Sequence, residues 1–577
     1  MSNLCNFVFE DVDVDILCLI IPNSHTIMTR AVSKTLKQKI EQLPRITLSI
    51  SALGTMAMSL KFLRYFSSSS ISFACKHNWR PESCWFKVFQ SSLTFFKEIE
   101  EIVMSVEGFQ LSSLLTLLLQ PVGLCTVKKI SLQFKGVCDD VLECGEKIKT
   151  LALVVPLQLK IRIDTSWHHY ISRPFVGVLR DTLGLLGQQS ITLTELDLEL
   201  HGPDVLGREK SRVMTDALLL YTSLELLNLG GHQLGAEGGR PLSNALRALP
   251  HLCSLNLCDN DLGFEGGAAV AAAFPALADR LHALLLASNG LGLRGGKVVL
   301  QSIPVLGALL LLDLSDNDLG FEGGTALATC LPALTALRRL RLSSNGLGPK
   351  GAWALAPALR ALKLLEELEL GRNDLGSDGA RALAQALPML TALRMLKLEK
   401  NDVGSRGASA LALGIGGLHE LRTLDLARND MGSDGGGAIA QVLPTSQRLR
   451  VLDLSGNEAG SRAAATLGVA FQALSALESL KLSDNGFGPR GGRAVFKSFT
   501  SLQRLRILDL ASNGLGPDGC RAAASAAAGL PNLTSLEMRN NGADERTRRT
   551  MRALLTSVGH LSLAGCMADC GFDSEED

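Results

Sequence analysis

The chain has 577 residues, and its 57 lysines and arginines are balanced by 57 aspartates and glutamates. A neutral chain creates no long-range field that attracts nucleic acid or an anionic membrane, so neither is predicted as a partner. Its 13 cysteines are odd in number and follow no paired spacing, which indicates free thiols and predicts a cytoplasmic protein. The first residues are acidic, so no signal peptide is predicted, and the longest aliphatic run, residues 305–314, is too short to cross a bilayer.

Residues 1–190 differ in composition from the rest of the chain. They hold three of the four tryptophans and few glycines, although isolated segments keep a repeat-like spacing, as at Val127, Ile130 and Leu132. Two interpretations stay open for this region. It consists of diverged repeats with a cap that covers the exposed end of a repeat array, which we favour, or it forms a separate helical domain.

From residue 191 to residue 566 the sequence repeats itself. An asparagine recurs every 28 residues, apart from one step of 29 at the start. Ahead of it runs the pattern LxxLxLxxN, and after it come xLGxxG and a helix of small residues, as in NDLGSDGARALAQALP from Asn373 to Pro388. A fixed period of this length predicts a solenoid. The asparagines are Asn260, Asn289, Asn317, Asn345, Asn373, Asn401, Asn429, Asn457, Asn485, Asn513 and Asn541.

Each part of the repeat has a predicted structural role. Alternate leucines point to one side of a short strand, so the residues between them face the other side. The inward asparagine amide must be paired, and it can bond the turns of its own and adjacent repeats to form a ladder. Gly376 and Gly379 suit positive φ in one such turn, and Ser377 and Asp378 are predicted to cap the helix that follows.

The spacing of strands and helices predicts the shape of the stack. Neighbouring strands lie about 4.8 Å apart, whereas helices of about 10 Å diameter cannot pack as closely. The helix side must therefore spread, which predicts an α/β solenoid curved into a horseshoe. A parallel sheet forms its concave face, and helices form its convex face.

The asparagine series, with the pair Leu-Gly two residues later at Leu375-Gly376 and Leu515-Gly516, resembles leucine-rich repeats of the ribonuclease-inhibitor type. Such repeats also occur in nucleotide-binding immune receptors and in Ran GTPase-activating proteins. The resemblance implies a leucine-rich repeat solenoid that is not an enzyme and that binds protein partners as a scaffold or regulator.

A GTPase activator is the alternative that the resemblance leaves open. The Ran-directed family uses an arginine on an N-terminal repeat loop and a long acidic tail. Here Arg208 and Arg212 lie in such a loop, and residues 567–577 form a short acidic tail.

Several motifs that suggest chemistry have simpler explanations. The pattern GxGxxG, typical of dinucleotide sites, begins at Gly290, Gly346, Gly486 and Gly514. Other repeats replace its first glycine by aspartate without losing register, so we predict a turn and no cofactor. Cys566 and Cys570 do not have the spacing of a zinc site, so no metal is predicted. Neither a catalytic residue nor a small-molecule substrate is predicted.

Candidate binding residues lie on the predicted concave face, because its side chains are not needed for core packing. They are found by counting back one, two, four or six positions from each asparagine, and charged side chains are densest between residues 339 and 400. The alternative is a solvated sheet face without a partner. The predicted partner-binding residues are Arg339, Arg341, Glu367, Glu369, Arg372, Lys397, Glu399 and Lys400.

Overall fold

The computed structural model describes residues 218–219 and 222–563, apart from residue 557, and the backbone of seven earlier strands. Predictions that concern Arg208, Arg212, Cys566, Cys570 and the acidic tail lie outside the described residues. The earlier strands are β1 (Phe7–Phe9), β2 (Leu48–Ser51), β3 (Ser70–Cys75), β4 (Glu98–Glu107), β5 (Thr126–Lys135), β6 (Gln158–Asp164) and β7 (Thr192–Glu199).

The chain divides into two compact units, residues 1–262 and residues 263–577. In the first unit β1 pairs antiparallel with β2, and β2 to β7 pair in parallel in chain order. The parallel pairing continues through β8 (Leu226–Asn228) to β9 (Ser254–Asn256), which are joined by the helix Gly235–Arg247. The domain boundaries drawn at residues 190 and 566 stay predictions.

The second unit alternates short strands with helices. Its strands pair in parallel in chain order, each in register with the next. They are β10 (Ala283–Leu285), β11 (Leu311–Asp313), β12 (Arg339–Arg341), β13 (Glu367–Glu369), β14 (Met395–Lys397), β15 (Thr423–Asp425), β16 (Val451–Asp453), β17 (Ser479–Lys481), β18 (Ile507–Asp509), β19 (Ser535–Glu537) and β20 (His560–Ser562).

Most helices of the second unit begin at the glycine that follows the turn. The exceptions are the short helix Phe274–Leu277 and the last helix. The helices are Gly263–Ala271, Phe274–Leu277, Gly292–Ser302, Gly320–Cys330, Gly348–Leu359, Gly376–Ala386, Gly404–Ile415, Gly432–Val442, Gly460–Ala470, Gly488–Phe496, Gly516–Ala527 and Glu545–Leu554. Short 3-10 turns follow several of them, as at Leu387–Met389, which contains Pro388. Within the described part of the chain, no helix combines the length and apolar character needed to cross a membrane.

The core lies between the sheet and the helices. The middle residue of each strand from β8 to β19 is a buried leucine, such as Leu368 and Leu396, while the residues on either side of it face away from the helices. Glycines let neighbouring helices approach closely: a Cβ on Gly324 would lie 2.4 Å from the Cα of Gly351.

The predicted asparagine ladder is confirmed. Asn401 is fully buried, and its Oδ1 accepts from the backbone N–H groups of Asn373 at 3.0 Å and Leu375 at 3.4 Å in the preceding repeat. Its Nδ2 donates to the carbonyl of Leu370 at 2.9 Å and to that of Leu398, in its own repeat, at 2.9 Å. The amide is therefore fully used, which is the condition for burying it without a large cost.

Two predictions about the turn are wrong. Gly376 has a φ of 61°, as expected, but Gly379 lies inside the helix, where a Cβ would come within 3.0 Å of the Cβ of Ala352. Neither Ser377 nor Asp378 caps the helix: no side-chain bond closes its N-terminus. The Ser377 hydroxyl instead donates to the carbonyl of Val403 at 2.7 Å, which links two repeats.

Candidate functional site

The first and last residues of strands β10 to β19 form what we call the open sheet face, because their side chains point away from the helices. On it the register of the strands sets Arg339 beside Glu367, and Arg341 beside Glu369. Lys397 follows beside Glu369 on the next strand. Five of the eight predicted binding residues are thus brought together on three adjacent strands.

The charges of these strands alternate in sign, and neighbours pair across the sheet. The guanidinium of Arg341 lies 3.7 Å from the carboxylate of Asp313 and 3.3 Å from that of Glu369. Glu369 in turn lies 3.3 Å from the ammonium of Lys397, and Arg339 lies 3.5 Å from Glu367. Because Arg341 also lies 3.8 Å from Glu367, these pairs form one continuous chain of opposite charges.

The other three predicted residues lie in the turn beyond the strands. Arg372 and Lys400 both have a φ of 55°, so their backbone is left-handed. The Glu399 carboxylate lies against Gly371, where a Cβ would come within 2.1 Å of its Oε1. Burial raises the pKa of Glu399, while its backbone hydrogen bond, Lys397 and Arg372 act in the opposite direction. The paired charges on strands β11 to β14 form what we call the charged strip. The side chains of Arg372, Glu399 and Lys400 extend it past the ends of the strands.

The assumption that the fold does not need these outward side chains is wrong for four aspartates. The Oδ1 atoms of Asp313, Asp425, Asp453 and Asp509 each accept a hydrogen bond of 3.0 Å from the backbone N–H two residues later. They therefore stabilise the turn after the strand. Asn228 and Asn256 do the same at the equivalent position of the first unit.

Two of these aspartates interrupt the alternation of charge. Asp425 and Asp453 are paired in the sheet register, so like charges stand side by side. The pKa of Asp425 is raised to about 6, chiefly by burial and also by Asp453 and Glu399, while its hydrogen bond to Ala427 and the charge of Lys481 act in the opposite direction. Asp453 itself lies 3.3 Å from Lys481, which leaves Asp425 as the less compensated carboxylate.

Charge counting missed an apolar part of the open sheet face. Strands β10 and β11 place Ala283, Leu285 and Leu311 on it, all half-buried, and Leu311 is in register with Arg339. Counting back four and six positions from Asn289 finds Ala283 and Leu285, so the signal was present in the sequence. The charged strip is therefore bordered by aliphatic side chains that could contact an apolar group of a partner.

Some of the motifs that resemble chemical sites lie within the described residues. Among these residues, no group of three or more His, Cys, Asp or Glu side chains is arranged to hold a metal ion. The glycines of one GxGxxG segment serve the turn: Gly346 and Gly348 have φ values of 59° and 62°, and Gly351 packs against the backbone of Phe321. His560, which precedes Cys566 and Cys570 in the sequence, lies 2.9 Å from Glu537.

A family model described as "Leucine Rich repeat" matches eight segments of this repeating region: residues 222–243, 309–328, 333–356, 361–384, 390–412, 418–440, 474–496 and 502–522. The chain is a leucine-rich repeat protein. The matched segments contain strands, turns and helices of both units, and they include the open sheet face from β11 to β14. The comparison with curated proteins found no match.

Solved structures that this leucine-rich repeat protein resembles share little sequence with it. A complex of TLR13 with ssRNA13 is 15% identical, with a TM-score of 0.38, and the match covers 87% of this chain and 79% of that one. LegL7 from Legionella pneumophila is 23% identical, with a TM-score of 0.31 and coverage of 49% and 93%. The complex of Rad7 and Elc1 from yeast is 16% identical, with a TM-score of 0.38 and coverage of 64% and 81%. At such low TM-scores these likenesses support no particular partner.

Proposed function

We propose that this protein is a non-enzymatic, cytoplasmic scaffold that binds a protein partner on the open sheet face, through repeats of the ribonuclease-inhibitor type. One observation carries the proposal. Strands β11 to β14 hold a chain of alternating charges in register on the side of the sheet that faces away from the helices. The asparagine ladder and the leucine core stabilise the repeats, so most of the long charged side chains on this face are left for contact with a partner.

The composition of the face determines how a partner would bind. Arg341 and Lys397 are each 33% exposed, so a partner can reach them without unfolding a repeat. A complementary charged surface would exchange these internal ion pairs for intermolecular ones, which favours orientation and fast association more than affinity. Since no first or last residue of strands β10 to β19 is aromatic, affinity would depend on the arginines and on Leu285 and Leu311.

The proposal is tested by capturing a partner with the full chain and comparing two double variants. Arg341→Gln with Lys397→Gln removes two positive charges from the open sheet face while keeping long side chains. Arg381→Gln with Arg406→Gln removes two from the exposed surface of the helices. We expect the first pair to slow association by about tenfold in surface plasmon resonance and the second to change it by less than about twofold.

A further variant separates the apolar contribution to affinity from the electrostatic contribution to the association rate. Leu285→Ala removes aliphatic surface and leaves every charge in place, so it should increase the dissociation rate and leave the association rate unchanged. Melting temperatures of all variants serve as the folding control. The proposal fails if the helix-side variants lose the partner while the sheet-side variants keep it.

A further inference from the structure

Basic residues are concentrated on the last four helices of the second unit. Those helices, together with the residues that directly flank them, carry nine basic residues and three acidic ones. The five helices from Gly320–Cys330 to Gly432–Val442, counted in the same way, carry four basic residues and three acidic ones. The nine basic residues are Arg462, Arg490, Arg493, Lys497, Arg521, Arg546, Arg548, Arg549 and Arg552. We call the outer surface of these four helices the basic helix face.

The repeat geometry gathers these charges. Arg490, Arg493 and Lys497 are spaced i, i+3 and i+7, so they lie on one side of the helix Gly488–Phe496 and its end, and all three are exposed. Helices pack against each other in chain order, so residues 28 apart are neighbours. Arg462 and Arg490 are related in this way, and so are Arg493, Arg521 and Arg549.

Much of this charge is not neutralised within the protein. Arg462 pairs with Asp434, Arg521 with Asp518, and both Arg548 and Arg549 with Glu545. For the remaining basic residues of this face, the structure gives no ion pair with any described residue. Those residues are Arg490, Arg493, Lys497, Arg546 and Arg552.

We propose that the basic helix face is a second docking surface and that its partner is an acidic segment of a protein. Guanidinium groups on this face already pair with carboxylates at Asp434, Asp518 and Glu545, so carboxylates suit its geometry. The carboxylates of Asp518 and Glu545 interrupt the basic surface. The acidic side chains of a protein can be spaced so that they avoid these carboxylates. The phosphates of a nucleic acid form a continuous row, so some of them would be repelled by these carboxylates.

The apolar residues of these helices argue in the same direction. Phe487, Phe496 and Phe499 are buried, so they offer no platform on which unpaired bases could stack. Val469 and Leu554 are the exposed large aliphatic side chains of the four helices, which is little for insertion into a membrane. An acidic helix with carboxylates at i, i+3 or i+4, and i+7 would match Arg490, Arg493 and Lys497.

The test uses the full chain and a fluorescein-labelled poly-glutamate peptide as the probe, followed by fluorescence anisotropy at low salt. Arg490→Glu, Arg493→Glu and Lys497→Glu are combined in one variant. The matched control combines Lys350→Glu, Arg381→Glu and Arg406→Glu on the earlier helices, so both variants change net charge equally. We expect the first to weaken binding at least about tenfold and the control to weaken it less than about twofold.

Further measurements make each outcome decisive. A glutamine version of the first variant, which keeps side-chain length, should show the same order of effects if the glutamate version does not fold. Raising the salt concentration should weaken the binding of poly-glutamate to the unmodified chain, since exposed charges are screened. Equal loss in the two triple variants would overturn the proposal. So would tighter binding of duplex DNA, single-stranded RNA or phosphatidylserine vesicles than of poly-glutamate.

Discussion

Two rows of polar side chains run through the same repeats, four residues apart in sequence, and they are stabilised in different ways. The asparagine row, which includes Asn373 and Asn401, is buried and bonds to backbone groups. The row that includes Arg341, Glu369 and Lys397 lies on the open sheet face and bonds to side chains of neighbouring strands. Backbone groups are the same in every repeat, so the inner row is constant, whereas the outer row can vary as long as each charge finds a partner.

The largest expected effect comes from breaking the inner row. Asn401→Ala leaves the N–H groups of Asn373 and Leu375 and the carbonyls of Leu370 and Leu398 without their amide partner. We expect it to lower the free energy of unfolding by about 1–3 kcal/mol, measured by urea denaturation.

Lys400→Ala is the neighbouring control, and it should change the free energy of unfolding by less than about 0.5 kcal/mol because its side chain is half-exposed. Equal urea midpoints for the two variants would contradict the distinction between the rows.

A smaller effect, a gain in stability, is expected at Asp425, where the charges of the outer row do not alternate in sign. The pKa of Asp425 is raised from 3.8 to about 6, so the folded state binds a proton more tightly than the unfolded state. The stabilisation that protonated Asp425 gives the folded state is complete below about pH 4, and it is lost as the pH rises through about 6. Asp425→Asn keeps an oxygen for the Ala427 N–H and removes the charge, so at pH 8 it should stabilise the fold by about 1 kcal/mol, allowing for partial exposure.

The pH dependence tests whether the charge of Asp425 causes the difference in stability. The difference in urea midpoint between Asp425→Asn and the unmodified chain should shrink as the pH falls toward about 4. Asp425→Ala, which also removes the hydrogen bond to Ala427, should be less stable than the asparagine variant at every pH. An asparagine variant that is less stable than the unmodified chain at pH 8 would show that the charge is not unfavourable.

The smallest effect is expected where alternation is intact. Glu369→Gln removes the negative partner between Arg341 and Lys397, but both cations are partly solvated. Exposed ion pairs contribute little, so the free energy of unfolding should fall by about 0.5 kcal/mol or less, and the difference should decrease in high salt. A loss as large as that of Asn401→Ala would mean that the outer row also holds the repeats together.

Much of the fold could be predicted because it depends on local, recurring features. The leucine spacing gave the strands, and the need to pair a buried amide at Asn401 gave the ladder. The roles of Ser377 and Gly379 were mistaken because single-repeat reasoning ignores the neighbouring repeat, which supplies the carbonyl of Val403 and the Cβ of Ala352.

The candidate sites were harder to predict because they depend on which side chains are neighbours on adjacent strands and helices. Counting charges overlooked Leu285 and Leu311, which have no charge, and it assigned no structural role to Asp425. Summing charge over the whole chain concealed the basic helix face, since excess acid elsewhere cancels Arg490 and its neighbours. The register of parallel strands and the packing of helices supplied the missing information.

The ladder also has a direction. The side chain of Asn401 completes the turn of the repeat before it, by accepting from Asn373 and Leu375, while the N–H of Asn401 itself bonds to Asn429 in the repeat after it. During synthesis, each turn therefore stays incomplete until the next repeat has left the ribosome. Folding of such an array advances one step behind the growing chain, and a truncation within the array leaves open donors at its C-terminal end.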